Sequence, residues 1–364
     1  MASLVISILI AICFCVGALD YALKYRFGFG EKFEQGIQAF GMLALSMLGI
    51  MGLVPLIKEV LAPLIVPLFS AIHADPSLFA GLLLPIDMGG YALSVELAVN
   101  KEMGLLSGCV LSCIVGCTVV FNMPIALGIV SKESQKALSL GILSGFAAAP
   151  VSMLTAGLIM GIDILVLLLN LVPVAAVSAI LIVCLAKAPV ASAKVFSVFG
   201  RFVTIISLVG LVLLALKLLC GFEPVPGMAS LDDSLIIVGH IALTLAGAYV
   251  LVEILGRILQ KPLTLLGDKT GLGSAALLGM LACLAHAIPL YQMLDTMSER
   301  GKTVAASFSV SASYVLASHL AFVAQVEPSM VVPMIIGKLS GGICAVIIAL
   351  IITRSAPTLQ ANEI

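Results

Sequence analysis

No charged residue occurs from Ala2 to Leu19, and comparable apolar runs recur to the end of the chain. A helix needs about 20 mostly apolar residues to cross a hydrocarbon layer roughly 30 Å thick. Runs long enough for this lie at 2–23, 39–57, 104–130, 137–161, 163–186, 201–218, 234–258, 303–325 and 330–353. Of the 364 residues, 62% are hydrophobic and 10% are charged, where soluble domains carry about 25% charge. Too few charges remain to coat a water-soluble surface, so the pattern predicts an all-α integral membrane protein. The net charge of −1 leaves no basic surplus for nucleic acid. The first run has no basic residue ahead of it and exceeds a signal-peptide core, so it is expected to stay as a membrane helix.

Two further apolar stretches, 60–99 and 272–294, are interrupted. The first contains Leu84-Pro85-Ile86-Asp87-Met88-Gly89-Gly90 and the second Leu284-Ala285-His286-Ala287-Ile288-Pro289. Each sets a helix breaker beside an ionisable group at membrane depth. If both stretches return to the side they came from, every Lys and Arg except Lys58, Lys101, Lys217 and the intramembrane Lys338 falls on one side. If both cross once, the two sides are nearly even. The positive-inside rule selects the first topology. It predicts a polytopic chain with about nine full spans plus two broken re-entrant segments, its N-terminus outside and its C-terminus in the cytoplasm.

That topology contains a repeat of two spans, a broken segment and two more spans. It divides the chain into a first inverted repeat at 1–161, a connecting span and loop at 162–195, a second inverted repeat at 196–353 and a cytoplasmic tail at 354–364. The spacing that matches Pro63 to Pro262 also matches Asp87 to His286. A single connecting span inverts the second copy, and inverted repeats with helices broken near the midplane place a substrate site at the breaks.

A broken helix frees carbonyls at one half-helix end and amides at the other. Asp87 lies just past such carbonyls, which suits a small cation carrying a hydrogen-bonding group; capping the next half-helix is the structural alternative. His286 would donate to a substrate hydroxyl, act as a proton-sensitive gate, or simply pack. His319, beside Ser318, reads in the same way. Asn122 precedes Pro124 at another expected break, where a local kink hydrogen bond would also account for it. Glu96, in the second half of the first broken segment, either joins the site or faces the outer water. Lys338 is expected to pair with a carboxylate or with carbonyls. Cys109, Cys113 and Cys117 share one helix face but lack further ligands, so no metal is expected. Gly108, Ser112 and Gly116 suit close helix packing. No HExxH, Walker loop or GxSxG motif occurs, so neither a catalytic residue nor a cofactor is assigned.

Several longer segments carry a resemblance. Phe79-Ala80-Gly81-Leu82-Leu83-Leu84-Pro85-Ile86-Asp87-Met88-Gly89-Gly90 with Glu96-Leu97-Ala98 resembles the ethanolamine-utilisation permease family EutH. Phe308-Ser309-Val310-Ser311-Ala312-Ser313 leading to His319-Leu320 does too, as do Pro333-Met334-Ile335-Ile336-Gly337-Lys338-Leu339 and Gly28-Phe29-Gly30-Glu31-Lys32-Phe33. The similarity is co-linear along almost the whole chain. The resemblance implies a multi-pass permease of the bacterial inner membrane, not an enzyme, that brings ethanolamine into the cell for catabolism. The sequence departs from the family pattern at His286-Ala287 and at Ala317-Ser318, both at the expected site. A related small amine therefore stays open as substrate. A channel-like facilitator and an ion-coupled carrier stay open as modes. The expected partners are ethanolamine and the lipid bilayer, and a homo-oligomer is compatible with the sequence.

Overall fold

The structure is a computed structural model that describes residues 2–354; of the expected tail at 354–364, all but Arg354 lies outside the described residues. The described residues are helical, without strands. Helix α1 (Ala2–Ala22) leads into α2 (Phe29–Ala71). Then come α3 (Ser77–Leu83) and α4 (Gly90–Leu97), separated by a single turn at Ile86–Met88. Three long helices follow: α5 (Lys101–Ile129), α6 (Gln135–Met160) and α7 (Ile164–Lys187). Next are α8 (Pro189–Cys220), α9 (Leu231–Thr270), α10 (Ser274–Cys283) and α11 (Ala287–Met293). The chain closes with α12 (Glu299–Ala312), α13 (Ser318–Val326) and α14 (Val331–Arg354). Among the described residues, eight helices are long and apolar enough to cross a membrane. The chain is therefore an all-α, polytopic membrane protein.

Two sequence expectations are revised. The run at 303–325, read as one span, is broken between α12 and α13. The first interrupted stretch, read from residue 60, starts only at Ser77, because α2 continues unbroken through Pro55, Pro63 and Pro67. At 1.5 Å per residue α2 is about 65 Å long. Neighbouring helices re-satisfy backbone groups that proline frees in such a setting, and beside these prolines Ile57, Leu61 and Ala62 pack on α3 and α4.

Each broken segment is a hairpin whose two ends meet. Asp75, just before α3, accepts the amides of Val99 and Asn100, just after α4, at 3.1 and 2.8 Å. Ser298, after α11, donates to the Leu272 carbonyl ahead of α10 at 3.3 Å. The first hairpin leans on α5, the most enclosed of the long helices. α5 has wide π-helical turns over Ser107–Gly116 and Thr118–Asn122. At Gly116 a side chain would strike the Leu84 carbonyl, so only glycine lets the break lie directly on α5.

The second hairpin is held differently. The amides of Tyr314 and Leu316, in the break between α12 and α13, donate to the carbonyls of Cys283 and Leu284, both at 2.9 Å. Two breaks thus satisfy each other. An unpaired backbone group in lipid costs several kcal/mol, so irregular chain at membrane depth is tolerated only where protein supplies such partners.

Candidate functional site

A cavity of about 190 Å³ lies where the breaks converge. Ala39, Met42, Leu43 and Ser46 of α2 form one wall, and Leu245 and Tyr249 of α9 another. The first break contributes Pro85, Asp87 and Met88; α5 contributes Cys117 and Phe121. His286 comes from the second hairpin, and Tyr314, Ser318 and His319 from the break beside it.

Local chain chemistry explains how the two hairpin residues arrive there. Pro85 cannot extend α3 because it lacks an amide, and its carbonyl accepts from Met88 and Gly90 at 3.1 and 2.8 Å. Gly89, at φ 93°, takes a left-handed conformation that a residue with a side chain rarely adopts and redirects the chain into α4. Asp87 sits on the tight turn between these two residues. Its carboxylate is partly exposed to the cavity, and among the described residues its own amide is its sole hydrogen-bonding neighbour. It does not cap α4. His286 precedes α11 in extended conformation, and its Nδ1 accepts the Ile288 amide at 3.2 Å. That bond assigns the neutral ring's proton to Nε2 and leaves Nε2–H as a donor.

Tyr314 joins these parts. Its ring lies 5.1 Å from His286 and 5.0 Å from His319, centroid to centroid, and 6.3 Å from Phe121. Its hydroxyl donates to Oδ1 of Asn122 at 2.8 Å. Its backbone is left-handed, at φ 63°. A non-glycine residue there stores about 1–3 kcal/mol of strain, which persists only where the surroundings impose it.

Of the residues singled out in the sequence, Asp87, His286, Ser318 and His319 line one cavity. Asn122 is buried behind it and holds Tyr314. Glu96 is not in the wall; it pairs with Lys58 at 2.6 Å, both side chains being more than a third exposed. Lys338 bonds a carbonyl, that of Cys113 at 2.9 Å, and not a carboxylate. Sequence reasoning missed Tyr314 and Tyr249. Tyrosines in apolar runs look like packing, and no Gly or Pro between 303 and 325 announces a break. No group of His, Cys, Asp or Glu among the described residues is arranged to hold a metal ion.

Residues 1–352 match the family described as ethanolamine utilisation protein, EutH. The chain is 42% identical over 346 residues to a probable ethanolamine permease EutH of Listeria monocytogenes, covering 95% of this chain and 93% of that protein. It is 38% identical over 348 residues to the uncharacterized protein YxeR of Bacillus subtilis, covering 96% and 94%. It is 36% identical over 359 residues to a probable ethanolamine permease EutH of Salmonella typhimurium, covering 92% and 88%. No solved structure matches it.

Proposed function

The chain belongs to the EutH family, and on that premise we propose that it carries ethanolamine, as the ammonium form, across the bacterial inner membrane into the cytoplasm. The observation that carries this reading is the Asp87 carboxylate, left free of partners from other residues among the described ones, on the wall of the cavity. An unpaired carboxylate at membrane depth costs several kcal/mol, which a bound cation offsets.

The donor set fits the rest of the molecule. Asp87 takes the ammonium group. The Nε2–H of His286, the Ser318 hydroxyl and His319 stand around the same space and take the hydroxyl oxygen. Phe121, Tyr249 and Tyr314 line the cavity with rings that favour a cation beside their faces. A cavity of about 150 Å³ holds benzene, so 190 Å³ has room for this smaller molecule.

The element series supports an alternating mechanism. Helices α1 and α2, a hairpin, α5 and α6 are followed, after α7, by α8 and α9, a hairpin, the broken α12–α13 and α14. The packing is reciprocal too: α1 lies on α9 and α8 on α2, while α6 lies on α14. These recurrences are those of two inverted repeats, 1–161 and 196–353, joined by 162–195. The repeats rock about the shared cavity, opening it to each side in turn. Inward movement of a cation needs no coupled ion. An inside-negative potential of 100 mV is worth about 2.3 kcal/mol per charge, enough for roughly 40-fold accumulation.

The test is binding of ethanolamine to purified protein in detergent, in competition with choline and serinol. Ethanolamine is expected to bind best, and Asp87→Asn to weaken it by about 10- to 100-fold, the worth of a charge-assisted contact. Undiminished binding by Asp87→Asn overturns the assignment of the site.

A further inference from the structure

Lys338 does not line the cavity, yet its side chain is wholly enclosed, with no exposure. It projects from α14, reaches the Cys113 carbonyl on the wide turns of α5, and places Nζ 3.0 Å from Nδ1 of His319. None of the ion pairs among the described residues includes it. A carbonyl and an imidazole are sparse compensation for an ammonium removed from water. A methionine of similar length would fill the space without that cost.

What the ammonium does is fix a neighbour. It carries three donors and no acceptor. With Lys338 charged, Nδ1 of His319 at 3.0 Å is the acceptor, and the neutral ring keeps its proton on Nε2. His286 reaches the same tautomer through the Ile288 amide. Both histidines of the cavity wall are thus donors, while Asp87 is an anionic acceptor. A guest with an ammonium at one end and an oxygen acceptor at the other satisfies both. A guest with ammonium groups at both ends leaves the second facing N–H groups, with Lys338 behind them.

Resting on the reading of the cavity as an amino-alcohol site, we propose that Lys338 is a positioning residue that locks His319 as a hydrogen-bond donor, orients the amino alcohol with its nitrogen at Asp87, and excludes diamines. Discrimination of this kind comes from a mismatch built against the wrong guest as much as from contacts to the right one.

The test compares ethanolamine with 1,3-diaminopropane as competitors for binding to the full-length protein. The wild type is expected to bind the diamine at least about 100-fold more weakly. Lys338→Met is expected to narrow that gap by about tenfold or more, because the His319 ring is freed to carry its proton on either nitrogen. Nitrogen-15 spectra of the histidine rings, assigned with His319→Gln, read the lock directly in the wild type, whether or not Lys338→Met folds. Nδ1 of His319 unprotonated and Nε2 protonated is the expected signature. A protonated Nδ1, or a folded Lys338→Met that keeps the full gap, overturns the proposal. Ethanolamine bound through Asp87 alongside equal affinity for the diamine overturns it alone. A wild type that binds no amine removes the cavity reading beneath it as well.

Discussion

Asp87 and His286 were visible in the sequence because ionisable groups are costly inside long apolar runs, and each stood beside a helix breaker. Their partners were not. Tyr314 has no polar neighbour in sequence except serines, and its role depends on Asn122, far away along the chain. It bridges α5 to the break before α13, so its hydroxyl is structural as well as a neighbour of the site. Tyr314→Phe leaves Oδ1 of Asn122 buried without its donor, a loss of about 1–3 kcal/mol. The expected outcome is a lower thermal midpoint in detergent, with ethanolamine bound more weakly because His286 and His319 lose a fixed wall. A variant as stable as the wild type would show that water replaces the hydroxyl. Glu96 marks where residue-level reading stopped. Its distance along the chain from Asp87 did not distinguish the cavity wall from an exposed pair with Lys58, and only the fold separates them.

Helices and hairpins were legible where apolar length and breakers coincide. Breakers in long runs were misleading in both directions. Three prolines left α2 intact, and beside them Ile57, Leu61 and Ala62 pack on α3 and α4. The break at 313–317 has none, because its cost is met by the carbonyls of Cys283 and Leu284 rather than by local chemistry. The hairpins themselves depend on their necks. Asp75 accepts the amides of Ser77, Val99 and Asn100 and closes the first of them. Asp75→Ala strands these amides and is expected to cost about 3 kcal/mol. Faster proteolysis of the 72–76 and 98–100 loops would report it; unchanged cleavage would place the closure elsewhere. Between α5 and α6, Ser131 ties to Asp295 beyond α11, its hydroxyl donating at 2.7 Å and its amide at 3.2 Å. The hydroxyls of Ser134 and Ser131 hold the Asp295 carboxyl below the usual carboxylate range. A carboxyl depressed in the folded state stabilises above its unfolded value, near pH 4, and that contribution is lost as pH falls through the folded value. The difference in thermal midpoint between wild type and Asp295→Asn should therefore be constant from pH 5 upward and shrink below about pH 4. A difference that grows on acidification would contradict the direction. In the loop between α1 and α2, Tyr25 is raised to about 12 by the Glu34 carboxylate that its hydroxyl bonds, so it stays protonated across this range.

The whole molecule is organised around a shared cavity that neither half of the chain forms by itself. Its class was plain from the scarcity of charge, and its family from co-linear similarity across the chain. The convergence of two breaks on one space was foreshadowed only by the equal spacing of Pro63 to Pro262 and of Asp87 to His286. The structure places both prolines inside long helices that pack on each other and both polar residues in the lining of one cavity. The crossed bonding at the second break was beyond reach, since pairing between distant segments leaves no periodic signature. If an anion at that convergence draws a cationic guest, transport follows charge. The decisive measurement is uptake of labelled ethanolamine by vesicles containing the purified protein, with the membrane potential set by a potassium gradient and valinomycin. An inside-negative potential of 100 mV should drive accumulation toward roughly 40-fold, unlabelled ethanolamine trapped inside should accelerate entry of label, and Asp87→Asn should abolish both effects. Uptake indifferent to the potential and undiminished by Asp87→Asn would contradict the account.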